Sequence, residues 1–310
     1  MKSIKNQFES DVISGLKLEQ KKLSSKYFYD EEGDKIFQEI MHLEEYYLPK
    51  SELEILTEQT DVMIRDFPYE TFDVVELGAG DGSKTVVFLE RLTELKKQIS
   101  YYPLDISPEV LLTNTENIKT KLPELVVKAI PGDYFNTLSE IDNNNPKIIL
   151  FMGSNIGNYE NREAIDFLKK VKHHMHEGDM LMVGIDLRKN PKIILSAYND
   201  AKGVTKKFNL NLLKRINNEL DANFDLEKFD HYPIYNPLNG IAYSFVVSLA
   251  NQVVKINNEK IHFSEGEVIQ TEVSQKYNIN QIDHMRKEAG FKKIDHYLDK
   301  KAYFSISIFS

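Results

Sequence analysis

The sequence predicts an α/β fold, a parallel sheet wrapped by helices and joined to a smaller α+β part. Two observations carry this. Beyond Pro68, short apolar runs alternate with amphipathic helical stretches, the rhythm of right-handed βαβ units. After "DLRKNP" that rhythm breaks into a helix-rich stretch and then alternating segments with turn signals at "NG" and "NNE", the pattern of antiparallel hairpins. At 310 residues the chain is long enough for two cores, or for one core with a substantial insertion.

The elements follow in order. The first sixty-odd residues are charged and helix-patterned, with Ile36, Ile40 and Leu43 at helical spacing and Ser51, after Pro49, as an expected N-cap. Five apolar runs then read as strands: Phe72 to Gly78, Ser100 to Ile106, Val126 to Phe135, Lys147 to Gly153 and Asp179 to Leu187. The helical "AYNDAKGVTKKFNLNLLKRINNEL" leads into the hairpins, which close on "QTEVSQKY". If that segment is extended, Thr271 and Val273 lie on one face and Glu272 and Ser274 on the other. Taken alone, an acid and a hydroxyl so placed suggest a solvated edge. A helix stopped by Gly290 and two more strand candidates, "FKKIDHYLD" and "AYFSISIFS", complete the chain. The expected division is 1–66 as N-terminal helices of a substrate-binding part, 67–189 as the sheet core, 190–277 as the insertion, and 278–310 as completion of the core.

Composition narrows the function. With 41% hydrophobic and 28% charged residues the chain is an ordinary globular protein, and a net charge of −9 argues against a surface built to neutralise phosphates. Nucleic acid is not an expected partner. There is no cysteine, hence no disulfide, thiolate metal site or cysteine nucleophile. The start, "MKSIKNQFES", lacks an apolar signal core, and runs such as "IILFM" and "MLMVGI" are too short to cross a bilayer, so a cytoplasmic monomer without membrane contact is expected. The cluster His173 to His176 resembles a metal site, but successive helical residues point different ways in a charged stretch. No metal is expected.

"VVELGAGDGSKT" sets Gly78, Gly80 and Gly82 straight after an apolar strand and before a helix. Such glycines permit a tight turn and the approach of a ligand to bare backbone at the carboxyl edge of a strand. Three features support a nucleoside ligand: Glu76 just before the loop, Asp105 ending the second strand, and Asp133 followed by Tyr134 ending the third. A carboxylate after strand two suits ribose hydroxyls, and an acid beside an aromatic suits the edge and face of adenine. The one-residue intervals between glycines are closer to the first motif of S-adenosylmethionine-dependent methyltransferases than to a dinucleotide fingerprint.

Longer segments sharpen this. "KYFYDEEGDKIFQEIMHLEEYYLPK", "FMGSNIGN", "AYNDAKGVTKKFNLNLLKRINNEL" and "GEVIQTEVSQKY" together resemble, in order and over nearly the whole chain, the histidine Nα-methyltransferase family of the ergothioneine pathway. The resemblance implies a Rossmann-like, seven-stranded methyltransferase sheet, with S-adenosyl-L-methionine as cofactor and a small amino acid as substrate. It implies methylation, in the family trimethylation, of the α-amino group of L-histidine, with another aromatic amino acid or non-catalytic cofactor binding as alternatives. Carried over by position, Tyr29 and the Gly153 region lie near the α-amine, Asn158 and Tyr198 hold the α-carboxylate, Tyr46 lines the substrate pocket, and Glu272 and Ser274 face the imidazole. Gly78, Gly80, Lys84, Asp105, Asp133 and Tyr134 match cofactor positions, and Glu76 is assigned to the same site. Two departures stand out: the family's "GSGTSEKT" is "GAGDGSKT" here, and Ser244 falls where the family has a methionine beside the substrate side chain.

Overall fold

The computed structural model describes residues 2–141 and 145–310. The chain opens with α1 (Lys2–Leu16) and α2 (Glu31–Met41). Asp30 caps α2 by accepting the Gly33 N–H, and the helix buries Ile36 and Ile40. Next comes α3 (Leu48–Met63), with Pro49 in its first turn, where its missing N–H costs no intrahelical hydrogen bond. Ser51 therefore lies inside the helix, not at its cap, and is buried there.

The alternating part supplies β1 (Thr71–Leu77), α4 (Thr85–Glu94), β2 (Gln98–Asp105) and α5 (Pro108–Lys121). There follow two short strands, β3 (Val126–Val127) and β4 (Ile130–Pro131), and a short helix, α6 (Tyr134–Ser139). The single strand expected over Val126 to Phe135 is thus cut back, because Pro131 cannot donate to a ladder and Asp133 turns the chain into α6 by accepting the Phe135 N–H. Then come β5 (Lys147–Phe151), α7 (Asn161–His173) and β6 (Met180–Asp186). The later part holds α8 (Pro191–Tyr198), α9 (Val204–Leu220), β7 (Phe229–Asn236) and β8 (Ile241–Ser248). After β9 (Gln252–Ile256), β10 (Glu259–Phe263) and β11 (Val268–Gln275), the chain ends with α10 (Ile279–Ala289), β12 (Ile294–Leu298) and β13 (Phe304–Phe309). Gly290, at φ 82°, stops α10 as expected.

Two compact units result. One comprises Leu48–Arg188 and Gln275–Ser310 and carries the main sheet, in the order β12-β13-β6-β5-β1-β2-β3, with β4 also pairing β2. The strands from β1 to β6 run parallel; β13 is antiparallel to β6, and β12 to β13. This is a Rossmann-like methyltransferase sheet. The chain leaves β1 toward β2 on one side and returns as β5 on the other, so the carboxyl end of β1 lies at the switch point where open α/β sheets take ligands. Six of the seven residues of β1 are buried, Asp73 and Glu76 among them, the continuous burial of a strand covered on both faces.

The other unit comprises the residues up to Tyr47 together with Lys189–Ser274. It contains a three-stranded sheet, β11-β8-β7, and the hairpin β9–β10. Phe8, Val12 and Leu16 of α1, Ile36 and Ile40 of α2, and Phe208, Leu212 and Ile216 of α9 share its core. Both expected hairpin turns form, with Gly240 at φ 80° and Asn257 at φ 51°. The expected division at residue 66 differs by one helix, since α3 packs on β12 and β13 and belongs to the sheet unit.

Candidate functional site

In the sheet unit, the glycine loop follows directly from β1. Its first two N–H groups, of Gly78 and Ala79, both bond the Leu104 carbonyl of β2, which bends the chain away from the sheet. Gly78 and Gly80 have φ of 71° and 54°, a backbone region that side chains rarely adopt. A Cβ at Gly78 would lie 2.8 Å from the Tyr134 hydroxyl, whereas at Gly80 it would meet nothing within 4 Å. The loop is therefore packed at Gly78 and open at Gly80.

Asp105, half-buried at the end of β2, accepts the Gly80 N–H at 3.2 Å and the Ser107 N–H at 3.1 Å. Each of its oxygens keeps a second lone pair for a ligand hydroxyl. Tyr134 sets its ring edge-on to Phe151 and Phe167, and burial holds its phenol protonated. Asp133 is exposed. Bare backbone, a carboxylate acceptor, the Lys84 ammonium and an aromatic thus gather around one loop. That donor set fits a ligand with vicinal hydroxyls, a carboxylate and a purine.

Glu76 differs from expectation. The residue is 3% exposed and its carboxyl is enclosed beneath the loop, where it accepts from Thr85 Oγ1 at 2.7 Å and from the Tyr101 hydroxyl. Burial pushes it up to about 7, against the pull of those two donors. Asn114 of α5 extends the network by donating to the carbonyls of Ala79 and Gly80 at 3.3 and 3.0 Å. Glu76 and Asn114 brace the loop from below.

Gly153, at φ 71°, and Asn158 bound the turn after β5, and both are exposed. Ser154 pins this turn by accepting the Asp186 N–H at 3.0 Å. Gly157 allows close approach of the Gln275 backbone, since a Cβ there would sit 2.8 Å from that carbonyl. Sequence reasoning missed Glu52 of α3, which is 1% exposed and bonds both the Gly153 N–H and Lys84. One signal was available: Leu48, Glu52, Ile55 and Leu56 share a helical face, so a carboxylate stands on an apolar stripe.

The other unit brings together most of the expected substrate residues. Tyr198, at the end of α8, donates to Ser274 at 2.8 Å, and both are buried. Ser244, fully buried on β8, donates to Glu272 Oε2 at 3.0 Å. Thr271 alternates to the opposite face and bonds Asn209 at 2.7 Å. β11 is an edge strand of its sheet, but Glu272 is half-buried and Ser274 buried, so this face is not fully solvated. Tyr46 packs beside Tyr198 and Ala242, whereas Tyr29 is 42% exposed with its ring edge-on to Phe37 and Phe208.

A family model described as histidine-specific methyltransferase, SAM-dependent, matches residues 8–310. The chain is 32% identical over 300 residues to a histidine N-alpha-methyltransferase of Mycobacterium tuberculosis, covering 96% of this chain and 93% of that one. It is 31% identical, with the same coverage, to the protein of that name from Mycolicibacterium smegmatis. A 4-dimethylallyltryptophan N-methyltransferase of Aspergillus fumigatus is 29% identical over 65% of this chain and 62% of its own length.

Proposed function

The chain belongs to the histidine-specific, S-adenosylmethionine-dependent methyltransferases, and we propose that the residues described above methylate L-histidine at its α-amino nitrogen up to the trimethylated product. The observation that carries the substrate is the polar set on β8 and β11. Ser244 bonded to Glu272, and Tyr198 bonded to Ser274, form hydrogen-bonding groups of a kind that a polar ring and a carboxylate can satisfy.

S-Adenosylmethionine, when bound, supplies a methyl group activated on a sulfonium. The chain's own residues position and discriminate. Lys84 offers its ammonium to a carboxylate, Asp105 accepts ribose hydroxyls, and Asp133 with Tyr134 takes the adenine. Glu272 accepts a ring N–H of histidine, and Ser244 keeps that carboxylate turned for the purpose. Asn158 donates to the α-carboxylate, and Tyr198 turns its single O–H from Ser274 to the same carboxylate when substrate binds. Tyr29 and the Gly153 carbonyl orient the amine, which attacks only when neutral; a reference α-amino group has a pKa of about 8, so deprotonation precedes attack. No general acid or covalent intermediate is needed. The protein is proposed to work as a cytoplasmic monomer, the latter testable by light scattering.

The test is incubation with S-adenosylmethionine and histidine, histidinamide, phenylalanine or tryptophan, followed by mass spectrometry. Histidine should gain up to three methyls and histidinamide few. Equal turnover of all four would remove both the ring reader and the carboxylate clamp. A larger aromatic amino acid is a second reading, favoured by Ser244 where the family has methionine. Preference for tryptophan over histidine, reversed in Ser244→Met, would establish it.

A further inference from the structure

A buried carboxylate is costly unless its charge is matched and its oxygens are bonded. Glu52 meets both conditions through two residues of the cofactor half. Its Oε1 accepts the Gly153 N–H at 2.7 Å, and its Oε2 takes the Lys84 ammonium, which is itself only 22% exposed. The fold also makes room for it. Gly184 lies on β6, and a Cβ there would come within 2.3 Å of Oε1. A helix, a strand and two loops thus converge on one side chain that sequence reasoning did not single out.

We infer that Glu52 is a positioning residue for methyl transfer, holding Lys84 for the carboxylate end of S-adenosylmethionine and fixing the Gly153 turn with its other oxygen. The inference rests on the functional reading above. Lys84 without Glu52 would be a flexible ammonium with many rotamers, and ordering it would draw on the binding free energy of the cofactor. The Gly153 peptide, held by its N–H, presents its carbonyl in one orientation. Glu52 so couples a cofactor contact to the backbone proposed to face the amine.

Glu52→Gln separates the two duties. The amide oxygen can still accept from Gly153, but its NH2 group meets the ammonium donor to donor. S-Adenosylmethionine affinity, read by calorimetry, should fall about tenfold, while the KM for histidine stays within about twofold. Lys84→Met alone and Lys84→Met with Glu52→Gln should bind the cofactor equally, since the second change acts through the first. Glu52→Ala should in addition lower kcat, because the Gly153 N–H loses its acceptor. Gly184→Ala, which displaces the carboxylate but keeps its charge, should follow Glu52→Ala. A well-folded Glu52→Gln protein with unchanged cofactor affinity overturns the inference and leaves the functional reading standing, as does a double variant showing the product of the two losses. If the parent protein binds no S-adenosylmethionine, both fall.

Discussion

The two units solve recognition in different ways. In the sheet unit the proposed ligand-facing surface is largely backbone: Gly78 to Gly82 form one continuous loop, beside Asp105 at the end of β2 and Tyr134 at the start of α6. In the other unit the proposed surface is made of side chains drawn from separate segments, α8, β8 and β11, and paired with one another. A backbone site tolerates sequence change wherever conformation is kept, as the replacement of "GSGTSEKT" by "GAGDGSKT" illustrates. A side-chain site can change specificity with one residue, and Ser244 is the position at which the proposed site departs from the family pattern. The same fold can therefore keep its cofactor and vary its substrate.

The sharpest way to break this contrast is Glu272→Ala. Loss of the carboxylate should lower kcat/KM for histidine by about 2 to 4 kcal/mol while relaxing discrimination against phenylalanine, because buried partners of a polar ring are left unpaired. Equal losses on both substrates would show that the pair does not read the ring.

A second test uses pH, to which the two units should respond in opposite directions. Burial lowers His231 of β7 to about 4, with Asp230 and Asp200 opposing and Lys206 assisting. Folded His231 then binds fewer protons than unfolded His231 between about pH 4 and 6.5, so its unit should lose stability as pH falls through that window. Glu76, raised to about 7 by burial, behaves oppositely. Its folded form holds a proton that the unfolded form gives up above about pH 4.5, so stability in the sheet unit should fall as pH rises from there to about 7. Each effect should approach about 3 kcal/mol at full extent. Amide exchange at β7 and β8, against β1 and β2, measures both, and His231→Asn should flatten the first alone. Parallel pH responses would defeat the assignment.

Asp105→Ala should weaken S-adenosylmethionine binding by about 1.5 to 3 kcal/mol by calorimetry and leave the KM for histidine nearly unchanged, the mirror of the Glu272 result. The smallest expected effect is that of Tyr198→Phe. Removing its hydroxyl deprives Ser274 of a donor and should raise the KM for histidine by about 0.5 to 1.5 kcal/mol, with cofactor affinity intact. Cofactor affinity that fell with Tyr198→Phe would mean the two duties are not divided between the units.

What the sequence determined by itself was the part written in local pattern. The βαβ rhythm, the hairpin turns at Gly240 and Asn257, the Gly290 stop and the glycine loop all depend on neighbours a few residues away, so periodicity and turn chemistry suffice to find them. Most of the proposed substrate residues were legible only through long segments that resemble a family, because an isolated Tyr198 or Ser274 carries no signal of its own. Tertiary structure decided the rest. Glu52 meets Gly153 across 101 positions, and Ser244 meets Glu272 across 28. Glu76 looked like a ligand contact because it precedes the glycines, yet β1 turns its side chain inward to Tyr101 and Thr85. α3 likewise read as one more N-terminal helix until its apolar face met β12 and β13. Local pattern fixes which way a side chain points along its own element; what it points at depends on which distant segment the fold packs there, and burial energetics then set whether a carboxylate binds a ligand or braces the loop that does.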